Sequence, residues 1–482
     1  MTHLVIRKVD EVYSQIVTDD MGIAQEISDE FTFEVPGARF MPQVKWGAWD
    51  GKIRLFNMKT LTLYTGLMPR FENFCRSRKY TFEYEYNNAA NNFSVKEAKD
   101  FLEKQKFSLE PRDYQINAFV DAVRHGRQMF LSPTASGKSF IIYMIMRWYL
   151  KPTLVIVPTV SLVHQMYSDF EEYGFNAEKY IHKIFGGQDK DTDKPIVITT
   201  WQSIYKLPKS WYEQFDVVIG DEAHLFKAKS LTSIMTKLTD CEYRFGFTGT
   251  IDDAQCHQYV LEGLFGPVNR VATTKDLMDS KHLAEFKIKV LTLSYEDEER
   301  KLVAPMSYQD EMKYLVSHEG RNRFITNLSL SLEGNTLLLF QYVDTHGKIL
   351  YNIIQEQAKD RKVFFIHGGV KGDKRNEIRG IVENESNAII VASYGTTSTG
   401  VNIRNLHNVI FASPSKSKIR NLQSIGRSLR KSETKTSAVL YDIADDLTHK
   451  KKMNFTLKHL LERVKIYDNE KFQYKFYKVG IK

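Results

Sequence analysis

Cysteine is scarce in this 482-residue chain: Cys75, Cys241 and Cys256 stand far apart and show no metal-ligand spacing. A disulfide framework and a cysteine-bound zinc site are thereby excluded, and a reducing compartment is expected. Long apolar runs are missing as well. The longest, Phe140 to Leu150, falls far short of the roughly 20 residues that a membrane-spanning helix needs. Internal repeats and low-complexity tracts are absent. The N-terminus carries acids early and has no apolar segment of the signal-peptide kind, so no export signal and no membrane association are expected.

What is present describes a globular chain, with 42% hydrophobic and 26% charged residues. Its length is too great for one core, so two or three domains are expected. The net charge of +8 is less informative than its distribution. Residues 1–34 hold two basic and eight acidic side chains, whereas residues 35–80 hold nine basic and two acidic ones. Phe40, Trp46, Trp49, Phe56, Tyr64, Phe71 and Phe74 are interleaved in the second stretch. Residues 447–482 hold ten basic and three acidic side chains, with Phe455, Tyr467, Phe472, Tyr474, Phe476 and Tyr477 among them. A cationic surface with stacking rings suits a polyanion that carries bases. Any single ring is better read as core.

The sharpest pattern is Ser132-Pro133-Thr134-Ala135-Ser136-Gly137-Lys138-Ser139, followed some 80 residues later by Asp221-Glu222-Ala223-His224. The first lies between a short apolar run ending at Phe130 and Leu131 and an apolar helical stretch. A glycine there lets the backbone wrap phosphate oxygens, and the helix N-terminus attracts the anion. Thr134, Ala135, Ser136 and Gly137 are the cradle residues. Lys138 is placed to reach the β- and γ-phosphates, and the Ser139 hydroxyl to ligate Mg²⁺. The usual first glycine of such a loop is Ser132 here. The acids end the apolar run Phe215 to Gly220, the pattern of a buried parallel strand. Asp221 is expected to hold Mg²⁺, and Glu222 to deprotonate the attacking water.

From about residue 110 to 250, β-branched runs alternate with amphipathic stretches. Leu154 to Thr159, Pro195 to Thr200 and Arg244 to Thr250 read as strands or strand ends. The alternation restarts near residue 335 with Thr336 to Phe340, Val363 to Ile366, Asn387 to Ser393 and Val409 to Ala412. Two parallel α/β sheets are implied. The second region has no phosphate loop, but Gln423, Arg427 and Arg430 fall on one face of an expected helix. That face suits the γ-phosphate of a bound nucleotide.

In this order the motifs resemble those of superfamily 2 helicases, whose motor is a pair of RecA-like domains. Pro111-Arg112-Asp113-Tyr114-Gln115 is similar to the family's adenine-reading segment, which implies nucleotide contacts for Arg112 and Gln115. Pro158 to Gln165, Thr199 to Ser203 and Ser398 to Asn402 resemble its strand-holding loops. The resemblance implies nucleic-acid contacts at Thr159, Thr200, Gln202 and Thr399, and a nucleotide contact at Gly400. Thr248-Gly249-Thr250 resembles a further motif of the set. Trp201-Gln202-Ser203, Ser393 to Gly400, Ser415 to Ile419 and the run Arg39 to Leu55 resemble the phage recombination helicases in particular.

The expected fold is therefore α/β. A small α+β nucleic-acid-binding domain over 1–95 precedes two RecA-like domains, over 96–285 and 286–482. Expected cofactors are ATP and Mg²⁺. The expected partner is branched, forked or junction DNA, extending to RNA–DNA hybrids, with Trp46, Trp49, Lys52 and Arg54 on the N-terminal contact surface. A single-strand binding protein or a recombinase is a candidate protein partner, and a monomer in the cytoplasm (the host's, for a phage chain) is expected. The implied activity is ATP-driven remodelling of branched DNA with 3′→5′ polarity. The alternatives are the motor of a restriction or repair nuclease complex and an ATP-gated clamp that does not translocate.

Overall fold

The computed structural model describes residues 3–105, 107–133, 136–251, 254–280, 284–370, 372–399, 405–413 and 437–481. The chain divides into two compact units, one of Met1–Ser132 with Gly137–Ala272 and one of Pro133–Ser136 with Thr273–Lys482.

The first unit opens with β1 (His3–Lys8) and β2 (Tyr13–Val17), followed by the two-stranded ribbon of β3 (Thr32–Glu34) and β4 (Lys52–Arg54). β5 (Thr62–Tyr64) and β6 (Thr81–Tyr84) complete a small sheet of order β5-β2-β1-β6, in which β6 runs parallel to β1 and the other pairs are antiparallel. Leu4, Ile6 and Ile16 alternate with exposed or half-buried neighbours and face the helices Met21–Glu30 and Met68–Arg78. Those helices return Ile23, Ile27, Phe71 and Phe74 to the same core.

The large sheet of this unit comprises β7 (Arg127–Leu131), β8 (Thr153–Val157), β9 (Ile181–Ile184), β10 (Ile196–Thr200), β11 (Val217–Asp221), β12 (Tyr243–Thr248) and β13 (Val268–Arg270). Its order is β13-β7-β12-β11-β8-β10-β9 and all pairs are parallel. Helices cover both faces of such a sheet, so β8, β10 and β11 are buried at every residue and read as continuous apolar runs. Arg244 lies fully buried in β12 and donates to the carbonyls of Cys241, Leu264, Met235 and Leu238. These bonds offset the cost of burying its charge.

The small sheet shares one hydrophobic core with the seven-stranded sheet of this unit. Leu67, Met68 and Phe71 belong to the same cluster as Tyr259, Leu264 and Phe265. At Gly66 a Cβ would lie 2.1 Å from the Glu262 carbonyl oxygen, so only glycine permits this approach. The Arg70 guanidinium pairs with the buried Glu262 carboxylate, with Nη2 donating to Oε1 at 2.7 Å, and lies 4.2 Å from the Tyr259 ring centroid.

The second unit contains β14 (Glu285–Ser294), β15 (Thr336–Phe340), β16 (Val363–Ile366), β17 (Ile389–Ser393), β18 (Asn408–Phe411), β19 (Ser437–Asp446) and β20 (Gln473–Gly480). Their order is β16-β17-β15-β18-β19-β14-β20, again parallel throughout. Two fully buried arginines are paired: Arg321 with Asp445 at 2.8 Å and Arg463 with Asp442 at 2.8 Å. Tyr295 and Tyr467 donate to the same two carboxylates. The edge strand β20 carries Lys475 and Lys478 among exposed residues, a charge pattern that discourages further strand pairing.

The expected strands fall where the apolar runs place them, with ends shifted by one or two residues. The stretch Phe140 to Leu150 is the body of helix Lys138–Tyr149. Among the described residues, no helix is long and apolar enough to cross a membrane.

Candidate nucleotide site and nucleic-acid surfaces

Gly137 joins β7 to helix Lys138–Tyr149 in the left-handed conformation, φ +79°. No side chain caps that helix, which suits its N-terminus to a phosphate. A Cβ at position 137 would lie 2.4 Å from Gln115 Nε2, so Gln115 packs directly on the turn. Gln115 is itself held by its own helix, its Oε1 accepting from the Arg112 backbone N–H at 2.9 Å. The Arg112 guanidinium donates to the Tyr114 hydroxyl at 2.8 Å. Arg112 and Gln115 thus stand beside the loop, although Gln115 and Gly137 are remote in sequence.

Asp221 is the last residue of β11, and Glu222 follows in the left-handed region at φ +51°. That conformation costs a non-glycine residue on the order of 1–3 kcal/mol and is typical of functional turns. It turns the Glu222 side chain toward the phosphate loop. Lys138 Nζ lies 3.4 Å from Glu222 Oε1 and 3.9 Å from Asp221 Oδ1. Burial raises the Asp221 carboxyl above its ordinary value, against the attraction of Lys138. Burial acts the same way on Glu222, but Lys138 and a hydrogen bond from His224 outweigh it and hold that carboxyl below its ordinary value. The two adjacent acids are therefore driven apart.

His224 is buried with Nδ1 2.9 Å from Thr248 Oγ1 and 3.3 Å from Glu222 Oε2. Thr248 Oγ1 in turn donates to the Thr250 carbonyl at 2.9 Å. With its proton committed there, Thr248 accepts from Nδ1–H of His224, a proton shared with Glu222 Oε2, which fixes the imidazole tautomer. The acid pair and the Thr248-Gly249-Thr250 segment are thus physically linked. Ser139 Oγ shares a hydrogen bond with Tyr173 at 2.8 Å.

These residues fit a nucleotide with its magnesium. The cradle admits no Cβ, the lysine is neutralised by two acids, and Ser139 and Asp221 supply the hard oxygen donors that Mg²⁺ prefers. Among the described residues no three His, Cys, Asp or Glu side chains cluster to hold a metal alone. Phosphate and water oxygens would complete the shell. Thr134, Ala135, Gly400, Gln423, Arg427 and Arg430 lie outside the described residues.

A second constellation lies at the C-terminal ends of β8, β9 and β10. Thr159, Thr200 and Gln202 line one cavity of about 580 Å³ together with Gly186, Gly187 and Lys190. Thr159 also caps helix Val160–Glu172, accepting from Leu162 N at 3.4 Å, and Thr200 Oγ1 bonds Ser203 Oγ at 2.9 Å. Gln202 Nε2 donates to the Pro158 carbonyl at 3.4 Å. Sequence reasoning missed Gly186, Gly187 and Lys190. Their signal is a Gly-Gly pair just after a strand, with both residues at positive φ. Thr399 ends helix Tyr394–Thr399 in the other unit.

In the N-terminal surface the two tryptophans separate. Trp46 is 80% exposed, whereas Trp49 is half-buried and donates Nε1–H to the Lys52 carbonyl at 2.9 Å. Lys52 and Arg54 are exposed at the two ends of β4, and Arg54 is ion-paired with Asp50. Phe56, Phe71 and Phe74 are core. In the C-terminal segment Tyr467 and Phe472 are buried, and Phe476 and Tyr477 are exposed on β20.

A parallel sheet with this phosphate loop and paired acids, plus a second parallel sheet, defines an ATP-driven motor of the helicase class. Residues 108–253 match the family described as type III restriction enzyme, res subunit, and residues 320–432 match the helicase conserved C-terminal domain. The N-terminal part is more particular: residues 5–85 match the family DNA helicase UvsW, N-terminal. The ATP-dependent DNA helicase UvsW of Enterobacteria phage T4 is 35% identical over 476 residues, 93% of this chain and 94% of that protein. The crystal structure of T4 UvsW covers 100% of both chains at 34% identity, with a TM-score of 0.53. The DNA 3′-5′ translocase XPB2 of Sulfurisphaera tokodaii is 31% identical over 198 residues, 41% of this chain and 43% of that protein. The chain belongs to the UvsW family of superfamily 2 helicases, enzymes that hydrolyse ATP to work on nucleic acid.

Proposed function

We propose that this helicase remodels branched DNA: it regresses forks, migrates Holliday junctions, and unwinds D-loops and R-loops, moving 3′→5′. The observation that carries this reading is the N-terminal module of the UvsW type, built into the core of the ATP-binding unit through Gly66 and the Arg70–Glu262 pair. A module attached in this way presents its cationic face at a constant position relative to Thr159, Thr200 and Gln202, so one unit would hold a duplex arm and a strand together. The polarity rests on the name of the archaeal translocase. We take the domains as 1–95, 96–285 and 286–482.

In this reading Lys138 leaves the acids and neutralises the β- and γ-phosphates of ATP. Glu222 orients the attacking water and accepts its proton. Ser139, now bonded to Tyr173, and Asp221 would hold Mg²⁺, which would supply positive charge to the phosphates. Arg112 and Gln115 bind the base side of the nucleotide, and Gln423, Arg427 and Arg430 are the proposed γ-phosphate partners. Backbone contacts at Thr159, Thr200, Gln202 and Thr399 carry little sequence information. Selection is therefore by DNA structure.

The test is ATP turnover and unwinding over forks, four-way junctions, D-loops, R-loops and linear duplexes of equal length, with Lys138→Ala as the inactive control. Preference for branched substrates is expected. Equal activity on blunt linear duplex would refute the branched-DNA assignment, and unwinding by Lys138→Ala would refute the assignment of the phosphate loop.

A further inference from the structure

We propose that the loop between β3 and β4, residues 35–51, is a base-stacking platform. It takes the unpaired base where DNA branches, with Phe40 and Trp46 as the stacking faces. This deepens the branched-DNA reading and rests on it.

The loop is built to hold a shape. Its base is closed by the β3–β4 pairs Phe33↔Ile53 and Glu34↔Lys52, and by Val35 N donating to the Gly51 carbonyl at 2.9 Å. Inside it a 3₁₀ turn, Ala38–Phe40, leads into the short helix Pro42–Lys45. Backbone N–H groups of Ala48 and Trp49 return to the Gln43 carbonyl at 2.9 and 3.2 Å. Ala38 is buried, and Trp49 braces the closing strand through Lys52. Compact loops of this kind, packed by their own residues, are frequently functional.

Two of the three aromatic rings of this ordered loop, Phe40 and Trp46, nevertheless face water. Trp46 is 80% exposed and Phe40 65% exposed. Burying such rings is the main stabilising resource of a small module. The same module buries Phe71 and Phe74, so room in the core is not the limit. Holding both rings outward in a fixed backbone is sensible if a flat ligand covers them. Phosphates gain little from an aromatic face, whereas every nucleobase has a π-face that stacks on one. Bases inside an intact duplex have no free face, so the matching ligand is the base left open at a branch. The surroundings carry the complementary charge. Arg39 lies 4.7 Å from the Phe40 ring centroid, and Lys45 and Lys52 are exposed nearby in sequence. Residues 35–80 as a whole hold nine basic and two acidic side chains.

The experiment uses the full chain and two DNAs, a fork with 2-aminopurine at the unpaired junction position and a blunt duplex of equal length. Trp46→Ala and Phe40→Ala should each weaken fork binding about five- to a hundredfold. Each should also abolish the 2-aminopurine quench, with the blunt-duplex affinity moving less than twofold. Trp46→Phe should restore most of the fork affinity. Equal losses on fork and duplex, a quench that survives Trp46→Ala, or a Trp46→Phe as poor as Trp46→Ala would each overturn the stacking role. The double variant Lys52→Glu/Arg54→Glu separates this failure from a deeper one. If it loses both DNAs while Trp46→Ala loses neither, stacking is wrong and the DNA surface stands. If no variant changes binding, the DNA surface itself is wrong.

Discussion

Replacing Glu222 by Gln should slow ATP turnover and at the same time tighten ATP binding. In the structure Lys138 Nζ sits 3.4 Å from Glu222 and 3.9 Å from Asp221, so the lysine must leave these acids to meet the phosphates. Two unit charges at the shorter distance attract by about 5 kcal/mol at an effective dielectric of ~20. Both side chains are partly open to water, and Asp221 keeps its hold in the variant. The gain left for the nucleotide is therefore about 1–2 kcal/mol, or a Kd lower by about 5- to 30-fold. Removing the general base should cut turnover by about 10²- to 10⁴-fold. Stopped-flow binding of a fluorescent ATP analogue and phosphate release at saturating DNA measure the two effects separately. An unchanged or higher Kd refutes the picture of a lysine held back by its acids. Turnover within threefold of the parent removes Glu222 from the chemistry.

Gly137→Ala adds a Cβ at a φ of +79° and within 2.4 Å of Gln115 Nε2. Calorimetric titration should show ATP affinity reduced at least about tenfold, since strain of roughly 1–2 kcal/mol adds to the clash, and parental affinity would refute the cradle. Arg70→Met leaves the Glu262 carboxylate buried without its cation; because the Arg70 side chain is 39% exposed, we expect a loss of about 2 kcal/mol in thermal unfolding of the first unit rather than the 3–5 of a fully buried pair. Adding Glu262→Gln should recover part of that loss, and an unchanged transition in Arg70→Met would show that the pair does not hold the module. His346 is depressed to about 3 by burial, reinforced by Arg321, and its Nδ1 lies 3.1 Å from Ser413 Oγ. It binds no proton in the fold but binds one in the unfolded chain below pH 6.5, so stability falls by roughly 1.4 kcal/mol per pH unit from 6.5 toward 3 and is constant above. His346→Gln should flatten that acid limb in urea unfolding, and superimposable limbs would refute the assignment.

Sequence by itself determined the placement of residues that are local along the chain. Lys138 and Ser139 follow the loop that presents them, and Asp221 ends the strand that delivers it, so spacing and neighbours suffice. Parallel strands such as β8 and β15 are buried on both faces and announce themselves as apolar runs. The aromatics of the N-terminal segment carried no such signal. Phe71, Trp49 and Trp46 are alike in sequence, yet one is core, one is a brace and one stands in water. Burial depends on which surface the fold places opposite a side chain, and that is a long-range property. The same holds for Gln115 against Gly137, for His224 between Glu222 and Thr248, and for Arg70 with Glu262, 192 residues apart. Only tertiary packing decided that the N-terminal module shares a core with the seven-stranded sheet of the first unit. A close approach at Gly66 and one ion pair cannot be read from either partner alone, because each becomes meaningful only when the other is opposite it.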